Sequence, residues 1–324
     1  MMNKRVIITI VLTICLFINT VGCNGQTKNN NMGTTLKEQM ASYTSKPVYY
    51  VEYSSSGCLV DIRINDSSVQ KDYNPGAVGG AVITANTAIL KSGKQRVTVR
   101  LIPCRDETLI TEKEPFTMRI GYKDFMKPSG DEGRPCHWVM EMPPIVMPEE
   151  GLPYYEWSGE FEAKVPYQVV GWSDCIDLRE IPDIEQRVVA KFNEFRQLYI
   201  DGKYDELKRL QYSKHYELAV MLYEDENDIE KDFTRSFTEA ESQDKSGYQP
   251  IEDYNLVFYA DGRLVTLEKY DKEFEYCHDS ALLWYSKKNE DGTADYHSYM
   301  LQFGIRKGTN ELVLIQVITY ETVS

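Results

Sequence analysis

The apolar residues of this chain change their spacing twice, and no other feature limits the fold as much. Across residues 47–178 they recur with period two, from about 182 to 238 at helical spacing, and from 255 with period two again. Period two lines one face of a strand, whereas a spacing of about 3.6 residues lines one stripe of a helix. The predicted order is therefore strands, then helices, then strands.

In the first part, residues 48–53 are a β-branched and aromatic run. Residues 59–64 alternate, with Leu59, Asp61 and Arg63 opposite Val60, Ile62 and Ile64. The alternation returns at 96–102, 116–122, 137–142 and 161–170. Between the runs lie turn-forming clusters such as Asn65-Asp66, Asn74-Pro75-Gly76 and Pro128-Ser129-Gly130-Asp131. Short strands at this spacing predict a β-sandwich domain over 46–178. The stretch 81–103, in which Leu90-Lys91-Ser92-Gly93-Lys94-Gln95 feeds a strand of alternating Val and Arg, resembles jelly-roll and immunoglobulin-like accessory domains of exported bacterial proteins.

The texture changes near residue 180. Asp183, after Pro182, is a good N-cap, and Gln186 three residues on completes a capping box. Ile184, Val188, Phe192, Phe195 and Leu198 then recur at helical spacing through Ile200, and Asp201-Gly202-Lys203 breaks the run. A second helix carries Leu207, Leu210, Leu218 and Leu222 on its apolar side, and 224–238 reads as a third, acidic helix. Residues 256–260 and 264–269 form a hairpin around Asp261-Gly262. Further strands are predicted at 281–286, 296–305 and 312–319. Three helices followed by a curved antiparallel sheet make an α+β domain over 179–324. The segment 192–210, an amphipathic helix followed by Asp201-Gly202-Lys203-Tyr204-Asp205-Glu206-Leu207 and a second helix, resembles the entry to the cone-shaped superfamily of nuclear transport factors, ketosteroid isomerases and polyketide cyclases. That resemblance implies a pocket at the open end of the cone. No catalytic position of such enzymes maps onto this chain by motif.

The N-terminus reads as an address. Lys4 and Arg5 precede an apolar run at 6–18, too short for a bilayer core that takes about 20 helical residues. Residues 1–22 therefore read as a signal peptide. Gly22-Cys23, preceded by Thr20 and Val21, resembles the bacterial lipobox, with Thr20 standing where leucine is usual. The resemblance implies lipidation of Cys23, and Asn24 in place of aspartate points to the outer membrane. The polar, Asn-rich sequence that follows predicts a flexible tether, with residues 23–45 as lipidated cysteine plus tether.

The charge is uneven. Residues 24–178 carry 16 basic and 20 acidic side chains, and residues 179–324 carry 18 and 30. This balance excludes nucleic acid as a partner. It permits a basic protein, such as a toxin, as a partner besides the membrane, the alternative being that the charge serves solubility alone. Glu224, Asp225, Glu226, Asp228, Glu230 and Asp232 form a candidate acidic docking surface, the alternative being a solvated helix face. They are not an EF-hand loop: counted from Asp225, Glu230 occupies the position that needs glycine and Ser236 the one that needs glutamate.

Apart from Cys15 and Cys23, five cysteines remain, with Cys58 and Cys104 as a candidate disulfide. Cys136-His137 and Cys277-His278 supply zinc-type ligands, but neighbours on a strand point to opposite faces, so no metal site is assigned. No nucleophile elbow, zinc-protease motif, phosphate loop or Cys-x-x-Cys occurs, so no catalytic residue and no cofactor are assigned. Tyr154, Tyr155, Trp157 and Trp172 are candidates for stacking on sugars. The chain is thus read as a lipid-anchored envelope protein acting as a non-enzymatic binding module. In one version it is an immunity-type protein that neutralises a toxin through its acidic second domain; the alternative is an accessory lipoprotein that binds a glycan or small ligand.

Overall fold

The computed structural model describes residues 34–73, 76–105, 107–127, 137–270, 279–287 and 296–318. The signal segment, Cys23 and the first part of the tether lie outside these residues, as do Cys136, Cys277 and His278. Among the described residues the fold is mixed, with four antiparallel sheets and four α-helices. No helix of the described residues is long and apolar enough to cross a membrane.

The chain enters through helix α1 (Leu36–Ser42), which corrects the expectation of a tether reaching residue 45. The Thr35 side chain and Glu38 form a reciprocal capping box, and Leu36 and Met40 are buried. The strands of the first half follow in the order β1 (Pro47–Ser55), β2 (Cys58–Ile64), β3 (Ser67–Asp72), β4 (Val78–Thr84), β5 (Lys91–Pro103), β6 (Phe116–Asp124), β7 (His137–Glu141) and β8 (Tyr155–Gln168). They form two sheets, ordered β4-β1-β6-β7 and β3-β2-β5-β8. β1 buries Tyr49, Val51 and Tyr53 by strict alternation, and β5 turns Val97, Val99 and Leu101 inward. The other face of β5 meets β8 in direct cross-strand pairs, Arg96 opposite Glu160, Thr98 opposite Ser158 and Arg100 opposite Glu156. Asn65 and Asp66 both take left-handed backbone angles, as a two-residue hairpin turn requires.

Helices α2 (Ile184–Ile200), α3 (Tyr204–Leu222) and α4 (Glu226–Ser242) come next. α2 starts where the sequence predicts, yet Asp183 makes no side-chain capping bond. β9 (Tyr254–Tyr259), β10 (Leu264–Lys269), β13 (Met300–Ile305) and β14 (Leu312–Ile318) form a sheet ordered β14-β13-β10-β9. β11 (Leu283–Tyr285) pairs with β12 (Tyr296–Ser298) in a separate ribbon, so the single strand expected over 296–305 is interrupted at Tyr299. One face of the larger sheet carries Val265, Leu267, Leu301, Phe303 and Ile305, which share a core with Ile184, Val188, Phe192 and Phe195 of α2.

The opposite face meets the first half. Asp61 and Arg63, read from sequence as the polar face of their strand, are both buried, because Tyr259 and its neighbours cover them. Arg63 pairs with Asp61 at 2.8 Å and stacks on the Tyr259 ring at 4.5 Å. Lys71 and Glu268 form a buried ion pair at 2.6 Å, and the Tyr259 hydroxyl donates to the same carboxylate. The core cluster of the first half accordingly includes Ala219, Val220, Met221, Ile229, Phe233, Leu264 and Ile315. Residues Thr35–Ser324 form one compact unit, and its packing crosses the position, 178, at which a domain boundary was expected.

Candidate functional site

The helical spacing of α3 places Lys214, Glu217, Leu218, Met221 and Leu222 on one stripe. That stripe is one wall of a cavity of about 220 Å³. Thr87 and Leu90, just before β5, form the second wall. Gly171 and Trp172, on the link between β8 and α2, form the third, and Ile315 and Gln316 of β14 close the site. The cavity therefore lies where both halves and their connection meet, a common position for ligand pockets.

Fixed contacts hold each wall. Gly171 takes a positive φ of 47°, and a Cβ there would meet Leu90 Cδ2 at 2.5 Å, so glycine is needed for the close approach. The Gly171 N–H donates to both Glu217 carboxylate oxygens, at 3.2 and 3.0 Å, and Arg306 donates to the Gly171 carbonyl at 2.6 Å. The end of α3 is stapled to the first half by Asn86, whose amide nitrogen donates to the carbonyls of Met221 and Pro47. β14 is tied to β3 by the Ser67 hydroxyl, which donates to Gln316 Oε1 at 3.1 Å.

The electrostatics are dominated by one cation without a counter-charge. Lys214 is 8% exposed, and burial holds its amine down at about 7, an effect only partly opposed by Asp232. Its Nζ lies 3.3 Å from His215 Nε2, and among the described residues it makes no ion pair. The His215 ring packs on Phe233 at 4.2 Å, and burial, followed by Lys214, pushes its titration down to about 3. Burial raises Glu217, the one carboxylate on the walls, against the bonds from the 170–171 backbone and the nearby Arg306. The remaining lining is chiefly aliphatic, sulfur-bearing or aromatic, and can desolvate a small apolar body.

Of the residues proposed from sequence as binding or docking sites, Trp172 alone reaches this cavity. It is buried and has no ring contact with Tyr154, Tyr155 or Trp157. Tyr154 is exposed with its hydroxyl on Glu156, while Tyr155 and Trp157 are half-buried. Cys58 and Cys104 are free thiols. Cys58 is buried opposite Pro103, which places Cys104 one residue beyond its strand partner. His137 packs on Tyr122. Among the described residues no three His, Cys, Asp or Glu side chains are grouped to hold a metal ion.

The acidic run is occupied locally. Asp225 caps α4 by accepting from the N–H groups of Asn227 and Asp228. Glu226 accepts from the Leu36 and Lys37 N–H groups and so caps α1 from outside. Asp228, Glu230 and Asp232 pair with Lys231, Lys208 and Arg235. Glu224 is half-buried, its carboxyl raised by burial and by Asp232 and Asp228.

Sequence reasoning missed Lys214 and Glu217. The available signal was Lys214 four residues before Leu218 and seven after Leu207, a lysine on the apolar stripe of its helix. Compared with known protein families, curated proteins and solved structures, the chain finds no match in any of the three.

Proposed function

We propose that this chain is a lipid-anchored envelope protein, held at Cys23, that binds a small and mainly apolar ligand in the cavity between α3, β14 and the 171–172 link. The observation that carries the reading is the cavity itself, a partly open pocket assembled from distant parts of the chain and lined by Trp172, Leu218 and Met221. It is favoured over a toxin-neutralising role because the carboxylates at 225–232 serve as caps and partners within the chain. In architecture we read the first two sheets as a β-sandwich and residues 179–324 as an α+β layer closed by a curved sheet. The helix layer of α2 on that sheet supports the likeness to the cone superfamily.

Two measurements test this. Indole and other neutral aromatic probes should shift the Met221 methyl resonance and change Trp172 fluorescence. Leu218→Phe, which fills the cavity, should weaken both responses at least about tenfold by removing the space. Probes that leave Met221 unmoved would sink the pocket reading. Separately, Cys23→Ala should abolish acyl labelling and release the protein from membranes; retained lipidation would overturn the anchor.

A further inference from the structure

The pocket proposed above contains a group that its own walls do not satisfy. Lys214 Nζ is enclosed, and its sole polar contact among the described residues is His215 Nε2 at 3.3 Å. A ring nitrogen is a weak complement to an amine that carries up to three donors. Glu217 sits one helical turn further on but makes no ion pair with it; both its oxygens already accept from Gly171. The wall's other acceptors are Thr87 and Gln316; Gln316 Oε1 is taken by the Ser67 hydroxyl, and among the described residues neither side chain bonds the amine. Leu90, Trp172, Leu218 and Ile315 carry no acceptor. A buried polar group in this position calls for a partner, since leaving one unmatched is costly.

We propose, resting on the ligand-binding reading, that the ligand is a small monocarboxylic acid whose carboxylate pairs with Lys214 while its ring or short alkyl chain lies against Trp172, Leu218 and Met221. Size sets the first limit. A dry engineered cavity of about 150 Å³ takes benzene, so the 220 Å³ here suits a single ring or short chain with a two- or three-atom acid arm. Charge sets the second. One lysine matches one negative charge, and Lys214 lies in the interior of α3, away from the free N–H groups of a helix start that would help a phosphate. An amine ligand would meet Lys214 as a like charge, and a sugar would leave most of its hydroxyls facing aliphatic walls. The depressed titration of the amine agrees with this geometry, because a carboxylate beside it would restore the charged form.

The test compares 3-phenylpropionate with its neutral amide, 3-phenylpropanamide, by calorimetry on the full chain. The wild-type protein should bind the acid about ten- to a hundredfold tighter than the amide, the range expected for one charge-assisted hydrogen bond. Lys214→Met should erase that preference, and a cooperative thermal transition shows that the variant is folded. Equal binding of acid and amide by the wild-type protein, or an acid preference that survives Lys214→Met, overturns the carboxylate assignment and leaves the pocket reading in place. Failure of both compounds to bind, together with silence of indole at Met221, removes the pocket reading and this assignment with it.

Discussion

Lys214 has a measurable effect on the stability of the molecule. Its proton is held with a pKa of about 7 when folded, against 10.5 for an ordinary lysine. Between these values the unfolded chain carries more protons than the folded one, so stability rises as pH increases through that window. Lys214→Met removes the slope. The variant should be more stable than wild type near pH 7, by on the order of 4 kcal/mol, with the gain vanishing near about pH 11. Urea titrations across pH check this, and a gain that does not shrink with pH would contradict the account. A destabilising group retained inside a cavity is the pattern seen where binding, not folding, sets the residue. Glu268 illustrates the opposite case. Its carboxylate is matched by Lys71 and the Tyr259 hydroxyl. Glu268→Ala should cost about 3–5 kcal/mol by stranding the buried lysine, whereas Lys71→Met with Glu268→Leu should cost far less; thermal unfolding distinguishes the two.

At the scale of elements, what sequence could reveal depended on whether the cause was local. α2 was legible because Ile184, Val188, Phe192 and Phe195 all bury toward one sheet and repeat over seventeen residues. β3 and β4 were not, since Ser67-Ser68-Val69-Gln70 and Gly79-Gly80 carry no alternation, and these strands exist by pairing with β2 and β1. β2 was legible as a strand and misread as to its faces, because the cover over Asp61 and Arg63 comes from Tyr259, far along the chain. The cavity was hidden for the same reason: its walls are distant in sequence, and the one local mark, Lys214 on the apolar stripe of α3, does not say what faces it. The docking of α1 is likewise non-local, resting on Glu226. Glu226→Ala should raise hydrogen-exchange rates at 36–42 about fivefold or more, by loss of a cap worth about 1 kcal/mol, without altering the rest of α4. Unchanged exchange would show that burial of Leu36 and Met40 alone holds the helix.

Across the whole molecule, the two halves are not stacked as separate bodies. The turn at Asn65-Asp66 receives the N–H groups of Ala260 and Asp261, Arg96 pairs with Asp261 at 2.6 Å, and the 169–176 link is bridged to Ile305 and Arg306. A chain this interlocked should unfold in one transition. Residues 35–178 expressed alone should therefore lack a sharp thermal transition and bind a hydrophobic dye, since Asp61, Arg63 and Lys71 would face water around an open core. A fragment melting as cooperatively as the whole would show that the first sheets are self-sufficient.

The cover that Tyr259 and Glu268 place over Arg63 and Lys71 also orders events in time. A chain synthesised from its N-terminus delivers β2 and β3 long before β9 and β10 arrive. Throughout that interval the first sheets wait with an uncovered charged face and an unfinished core, the condition in which nascent chains collect chaperones or stick to one another. Completion comes only with Ile315 of β14, close to the end of the described chain. Premature termination at any earlier point would leave a product with its first half already made and no means of closing it.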